Sequence, residues 1–156
     1  MAWHVVSAGG GFGGLYAART LERVLPRQSA RVTLINDVTF RLYTPLLPGA
    51  AAGTLEPRHV VVPLREELDR TDLHLGTITG HDPAARTISV RSQAGRDEQI
   101  GYDHLVLALG SISRSLPVPG LVEHARGFKT LPDAIALRNH LLSTFEAAET
   151  LEDPKE

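Results

Sequence analysis

Three features of the sequence predict an α/β fold: a Rossmann-like βαβ unit into which a small antiparallel β meander is inserted. A short apolar strand pattern runs into the glycine-rich stretch 9–14. A helical pattern and a second strand pattern follow directly, as in a βαβ unit. Three short strand-like segments then lie between residues 73 and 102. At 156 residues, 42% of them apolar, the chain has the composition of one globular domain, or of one domain and part of another.

The first 36 residues carry the predicted βαβ unit. Residues 5–8 suit a buried strand, although Ser7 interrupts the apolar run. Apolar residues recur at helical spacing from residue 15 to residue 25, just before Pro26, which favours the end of a helix there. Residues 31–35 predict the second strand, which we expect to be parallel to the first.

The rest of the chain predicts shorter elements. Residues 40–63 mix aromatics, Pro and Gly and predict an irregular segment with a short helix, and residues 64–68 suit the start of another. Strand patterns at 73–79, 86–92 and 97–102 are separated by turn-like residues, which predicts the meander.

Beyond the meander, the continuous apolar run 105–109 predicts a strand covered on both faces, ending at Gly110. Thr130 and Asp133 predict the capped start of a last helix, with Leu137, Leu141 and Phe145 on one stripe. We expect residues 151–156 to be frayed.

The glycine turn predicts a dinucleotide site. Gly9, Gly11 and Gly14 satisfy the pattern G-x-G-x-x-G after a strand and before a helix. In such a turn the first Gly allows the tight bend, the second allows close approach of a pyrophosphate, and the third allows the helix to pack on the strand. The helix start adds about half a positive charge. The alternative is a turn with a structural role only.

The ribose position departs from the usual pattern. An acidic residue is expected there, at the end of the second strand, but Asn36 occupies it, 22 residues after Gly14, and Asp37 follows. The amide oxygen of Asn36 would accept a bond from a ribose hydroxyl, or Asp37 would replace it. The alternative is that the pair only makes a turn.

Composition excludes several classes of function. The chain has no cysteine, so it contains no disulfide, thiolate metal site or cysteine nucleophile. The spacing of its seven histidines predicts no metal site, and we assign no catalytic residue. A net charge of −2 predicts no nucleic-acid partner. No run is long and apolar enough for a membrane span or a signal peptide, so we expect a cytoplasmic location.

Several stretches together resemble the type II NADH:quinone dehydrogenases and related FAD-dependent pyridine nucleotide oxidoreductases. They cover residues 4 to about 148: Val5-Val6-Ser7-Ala8-Gly9-Gly10-Gly11-Phe12-Gly13-Gly14-Leu15-Tyr16-Ala17-Ala18; Val32-Thr33-Leu34-Ile35-Asn36 with Phe40-Arg41-Leu42-Tyr43-Thr44-Pro45-Leu46-Leu47; Leu55-Glu56-Pro57-Arg58-His59-Val60; and Tyr102-Asp103-His104-Leu105-Val106-Leu107-Ala108-Leu109-Gly110 with Val118-Pro119-Gly120.

This resemblance implies that the first glycine turn binds FAD rather than NAD. The contacts carried over at the pyrophosphate are Gly9, Gly11, Phe12, Gly13 and Gly14, with Asn36 or Asp37 at the ribose. The others are Thr44, Pro45 and Leu46 near the isoalloxazine, Ile78 near the adenine through its backbone, and Ala108 and Gly110 at the second flavin fingerprint. For the loop residues and Ile78, loop and sheet packing is the alternative.

The resemblance further implies an FAD-dependent enzyme that passes electrons from NADH to a quinone-type acceptor. It assigns residues 1–115 to the FAD-binding domain, and residues 116–156 to a linker and helix leading to an absent NADH-binding domain. The family's second glycine turn and its Gly-Asp pair are missing, which suggests a truncated, inactive chain. Peripheral attachment to the inner face of the cell membrane would need an absent C-terminal segment. A non-catalytic dinucleotide-binding module, and a related FAD/NAD(P) reductase with another acceptor, are the alternatives.

Overall fold

The computed structural model describes residues 2–151. The strands in chain order are β1 (Trp3–Ala8), β2 (Ala30–Asn36), β3 (Phe40–Leu42), β4 (Val61–Pro63), β5 (Asp72–Asp82), β6 (Thr87–Ser92), β7 (Asp97–Gly101) and β8 (His104–Leu107). The α-helices are α1 (Phe12–Val24), α2 (Leu47–Ala51), α3 (Leu64–Glu67), α4 (Leu121–His124) and α5 (Leu131–Glu149), and 3-10 turns cover Thr44–Leu46 and Pro57–Val60. β3 and β4 form a separate two-stranded sheet.

Six strands form one mixed sheet in the order β7-β6-β5-β2-β1-β8. β1 pairs in parallel with both β2 and β8, and β2 pairs in parallel with β5. The last residue of β1, Ala8, lies beside Ile35 of β2 and Leu107 of β8. The carboxyl ends of three neighbouring strands therefore meet at one edge, where the glycine turn leads into α1. The predicted α/β fold with its βαβ unit is confirmed.

The antiparallel meander continues the parallel sheet. β5 pairs with β2 as far as Leu75, and its later residues pair with β6, which in turn pairs with β7. The register of β5 shifts between Ile78 and Gly80. The carboxylate of Asp82 accepts bonds from the backbone N–H groups of Ala84 and Ala85, which closes the following turn. The predicted meander is confirmed, with β5 extending three residues further than its pattern suggested.

Two apolar clusters pack against the six-stranded sheet. One contains Val6, Ala8, Ile35, Ile88 and Val90, all fully buried. The other contains Leu15, Leu34 and Leu64. Ile35 and Leu34 are successive residues of β2 and belong to different clusters, because side chains of a strand alternate between faces. Burial of each large side chain stabilises the fold by about 1.5–3 kcal/mol.

The prediction that residues 105–109 form a strand covered on both faces is wrong for the described residues. β8 ends at Leu107, and it is the edge strand of the sheet. Leu105 packs against the first apolar cluster, whereas Leu107 and Leu109 are 57% and 60% exposed. An apolar run alone does not show how many faces of a strand the surrounding chain covers.

The described residues divide into two compact units, 2–41 with 62–111 and 42–61 with 112–151. In the second unit, Leu47 and Ala51 of α2 pack with Ala134 of α5. α5 begins with the predicted capping box, in which Thr130 and Asp133 each accept the other's backbone N–H. On its predicted apolar stripe, Leu141 and Phe145 are exposed. Residues 152–156, where we expected fraying, lie outside the described residues.

Candidate functional site

Two positions of the glycine turn, Gly9 and Gly14, have no room for a larger residue. Gly9 has a φ of 106°, and a Cβ there would lie 2.3 Å from the carbonyl oxygen of Ala108. A Cβ on Gly14 would lie 1.8 Å from the carbonyl oxygen of Gly9. Gly9 therefore makes the bend and Gly14 the close packing of α1 on the turn, the two roles that the spacing predicts for them. Ala108 lies directly against this turn.

Gly11 faces open space at the start of α1. No atom lies within 4 Å of the position that a Cβ on Gly11 would take. Gly11 is the N-cap residue of α1, and no side chain caps this end. The hydrogen bonds within the helix begin with the bond from Leu15 N–H to the Gly11 carbonyl. The helix itself therefore does not use the backbone N–H groups of residues 11–14. These groups and the helix dipole are suited to bind an anion such as a pyrophosphate.

Asn36 fixes the turn from the neighbouring strand. Its amide oxygen accepts a bond from the N–H of Gly10 at 2.8 Å, and its amide nitrogen donates to the carbonyl of Val38 at 2.8 Å. A Cβ on Gly10 would lie 2.7 Å from Cγ of Asn36, so Gly10 has to be a glycine for this contact to form. Asp37, the next residue, is exposed. The ribose assignment of either residue stays a prediction.

Ser7 is a second residue that the sequence pattern did not place in the turn. Its side chain is fully buried, and its hydroxyl donates to the carbonyl of Gly14 at 3.1 Å. The same residue that interrupts the apolar pattern of β1 therefore ties this strand to the first turn of α1. A polar residue in an otherwise apolar strand, two residues before a glycine turn, was the signal for this role.

Arg41 also lies beside the turn, and the sequence analysis assigned it no role. It belongs to β3, is only 7% exposed, and places its guanidinium carbon 4.6 Å from the centroid of the Phe12 ring. Phe12 is the first residue of α1. A cation at this distance from an aromatic face is attracted to the ring. Arg41 and Phe12 are far apart in the sequence, so no spacing pattern predicted this contact.

The other predicted cofactor residues occupy different places. Ile78 packs against the first apolar cluster at the bulge in β5. Ala108 would contact a Cβ on Gly13 at 3.5 Å, whereas Gly110 has a φ of 73° and is exposed. Thr44, Pro45 and Leu46 form an exposed 3-10 turn in the second unit. The structure therefore brings the glycine turn, Asn36 and Ala108 together.

Glu22, near the end of α1, holds the chain that leads into β5. Its carboxylate accepts bonds from the backbone N–H groups of Arg70 at 2.8 Å and Thr71 at 2.6 Å. Burial raises the pKa of the Glu22 carboxyl, but these hydrogen bonds outweigh burial, and the pKa lies below its ordinary value. In residues 2–151 no three His, Cys, Asp or Glu side chains cluster to hold a metal ion.

The family model for the pyridine nucleotide-disulphide oxidoreductases matches residues 3–150. The chain belongs to this family. Its first glycine turn, Gly9 to Gly14, thus lies at the start of a family match that covers both compact units. The family's name refers to a disulphide, and the present chain contains no cysteine.

Relatives agree with the resemblance drawn from the motifs. The chain is 34% identical over 154 residues to the type II NADH:quinone oxidoreductase Ndh of Mycobacterium tuberculosis, covering 97% of this chain and 32% of that protein. It is 30% identical over 161 residues to the external NADH-ubiquinone oxidoreductase 2 of Saccharomyces cerevisiae mitochondria, covering 97% and 29%. The chain thus spans about a third of the length of the relatives it matches.

The fold also matches solved structures. The structure of NDH2 from Plasmodium falciparum in complex with RYL-552 superposes with a TM-score of 0.86, at 21% identity, over 98% of this chain and 31% of that one. The resemblance to the type II NADH:quinone dehydrogenases and the Rossmann-like fold are both confirmed. In the described part of this chain, no helix is long and apolar enough to cross a membrane.

Proposed function

We propose that this chain is the FAD-binding part of an oxidoreductase that carries electrons from NADH through FAD to a quinone-type acceptor. The glycine turn is the observation that carries the proposal. Gly9 and Gly14 leave no room for a Cβ, whereas Gly11 faces open space at the start of α1. A dinucleotide needs this combination, because its pyrophosphate approaches the backbone closely. Membership in the family supports FAD as the dinucleotide at this turn.

The turn would bind the pyrophosphate through backbone N–H groups of residues 11–14. At the ribose, Asp37 suits the role better than Asn36, because the Asn36 amide already bonds to Gly10 and Val38. The exposed carboxylate of Asp37 would give charge-assisted bonds, which are about twice as strong as neutral ones. The further contacts proposed by resemblance are Thr44, Pro45, Leu46, Ile78, Ala108 and Gly110.

Bound FAD would supply the chemistry, accepting hydride from NADH and passing electrons on, while the chain binds and orients it. The proposal takes NADH and quinone from the names of the relatives, which are NADH:quinone and NADH-ubiquinone oxidoreductases. We expect the 156 residues alone to be inactive, because they contain no second glycine-rich turn for NADH. The proposal includes a cytoplasmic location and peripheral association with the inner face of the cell membrane.

The visible absorption spectrum tests the proposal. The purified chain is mixed with excess FAD, passed through a desalting column and scanned before and after addition of NADH. We expect the protein to retain about one FAD per chain, and NADH to leave its flavin absorption unchanged. A colourless protein that binds NADH but not FAD would contradict the flavin assignment. Bleaching by NADH would contradict the expected inactivity of these residues.

A further inference from the structure

We propose that Arg41 is an additional residue of the cofactor site and that its guanidinium binds the pyrophosphate of FAD. This inference rests on the proposed function and adds a side chain to a pyrophosphate site that otherwise consists of backbone N–H groups. The glycine spacing does not point to Arg41, and the family resemblance gave it no role although it lies within one of the matching stretches. The observations that point to Arg41 are its burial, its contact with the Phe12 ring and its charge.

The burial of Arg41 fixes a permanent positive charge in place. Among the residues that the structure describes, the buried polar or charged side chains are Ser7, Thr33 and Arg41, so Arg41 is the charged one. Arginine remains protonated at all pH values that proteins meet. A buried cation also interacts more strongly with an anion than an exposed one, because the surrounding dielectric is lower.

The position of Arg41 relates this charge to the glycine turn. Its guanidinium carbon lies 4.6 Å from the centroid of the Phe12 ring, and Phe12 directly follows Gly11. The contact with the ring holds the guanidinium near the start of α1, and its N–H groups lie along the edges of a planar fork. Such an edge is suited to bind two phosphate oxygens at once. The Phe12 side chain, 41% exposed, would thus position Arg41 while its backbone belongs to the turn.

The charges at this place favour a diphosphate over a neutral ligand. The N-terminal end of α1 carries about half a positive charge, and no side chain caps it. Arg41 places a full positive charge beside the first residue of the same helix. Two positive groups at one place repel each other, and an anion bound between them is attracted to both and offsets this repulsion. The pyrophosphate of FAD or ADP is such an anion, whereas adenosine has no charge to offer.

Ligand titrations of one substituted residue test the inference. The chain and its Arg41→Gln variant are titrated with FAD, ADP and adenosine by calorimetry. We expect the variant to bind FAD and ADP about 10- to 100-fold more weakly, with adenosine changed less than about twofold, because it loses a charge-assisted contact to phosphate. Arg31→Gln is the matched control, because Arg31 lies at the opposite end of β2 from Asn36 and pairs with Asp72. We expect its loss to leave all three affinities unchanged.

The outcomes separate this inference from the proposed function. If the unsubstituted chain binds neither FAD nor ADP, both fail. If it binds both and Arg41→Gln binds them equally well, or loses adenosine affinity to the same extent, only the role of Arg41 is overturned. If circular dichroism shows that Arg41→Gln does not fold, Arg41→Lys decides, because lysine keeps the charge but not the planar fork. The ratio of ADP to adenosine affinity then falls at least about threefold, and an unchanged ratio overturns the inference.

Discussion

We expect Gly14→Ala and Gly11→Ala to affect two different properties of the glycine turn, its stability without ligand and its affinity for the cofactor. Both residues belong to the same motif, but a Cβ on Gly14 would meet the Gly9 carbonyl oxygen at 1.8 Å, and a Cβ on Gly11 would meet nothing within 4 Å. We therefore expect Gly14→Ala to destabilise the protein without ligand. We expect Gly11→Ala to leave that stability unchanged and to weaken FAD binding.

The structure sets the size of both effects. The turn must open by more than about 1 Å to accept Gly14→Ala, and overpacking of this kind costs about 1–3 kcal/mol, here at the upper end because the neighbour is backbone. For a chain of this length the melting temperature should fall by about 10 °C. At Gly11, alanine restricts the unfolded chain, a gain of about 0.4–1 kcal/mol. It is also a poorer N-cap than glycine by about 0.5–1 kcal/mol, so the two effects offset each other.

Thermal unfolding without ligand and FAD titration measure the two effects separately. Gly11→Ala should melt within about 2 °C of the unsubstituted chain and bind FAD at least about tenfold more weakly, because its methyl group occupies the space that the pyrophosphate needs. If Gly11→Ala binds FAD as tightly as the unsubstituted chain, Gly11 is not where the pyrophosphate approaches. If Gly14→Ala is as stable as the unsubstituted chain, the close contact of Gly14 with Gly9 does not hold.

Three further substitutions test the contacts around the turn. Asn36→Asp should lower the free energy of unfolding by about 1 kcal/mol at pH 7, since its carboxylate faces the Val38 carbonyl; the loss should shrink below pH 4, where the protonated acid donates again. Ser7→Ala should cost about 1 kcal/mol in urea unfolding, because the Gly14 carbonyl loses a buried donor. Glu22→Gln should cost about 1 kcal/mol at pH 7 and nothing in acid. The pKa of Glu22 is lowered on folding, so its stabilisation is present above its unfolded pKa and disappears as pH falls through its folded pKa.

The sequence predicted those parts of the fold that local pattern determines. In the unit from β1 to β2, the apolar residues of α1 recur at the spacing of one helix face, and in the meander turns recur at regular intervals. The bounds of both were therefore predicted to within a few residues. The segment between residues 40 and 63 was predicted only as irregular, with a short helix. α2 is five residues long and contains Pro and Gly, so packing against α5 and not propensity stabilises it.

At the site, the sequence predicted the glycines but not the side chains that support them. The spacing of Gly9, Gly11 and Gly14 is a local code for backbone conformation, and the structure gives each a matching environment. The bond from Gly10 to Asn36 joins residues 26 positions apart. Arg41, which belongs to the two-stranded sheet, contacts Phe12 at the start of α1. Such contacts depend on tertiary placement, which no spacing rule encodes.

A nuclear magnetic resonance titration of the ¹⁵N-labelled chain with FAD tests the central claim most directly, because it reports on each backbone amide. We predict that the largest shift changes fall on the amides of Gly11, Phe12, Gly13 and Gly14, where the pyrophosphate would accept hydrogen bonds from the start of α1. Shift changes concentrated elsewhere, or no changes at saturating FAD, would contradict the claim that this glycine turn is the FAD site.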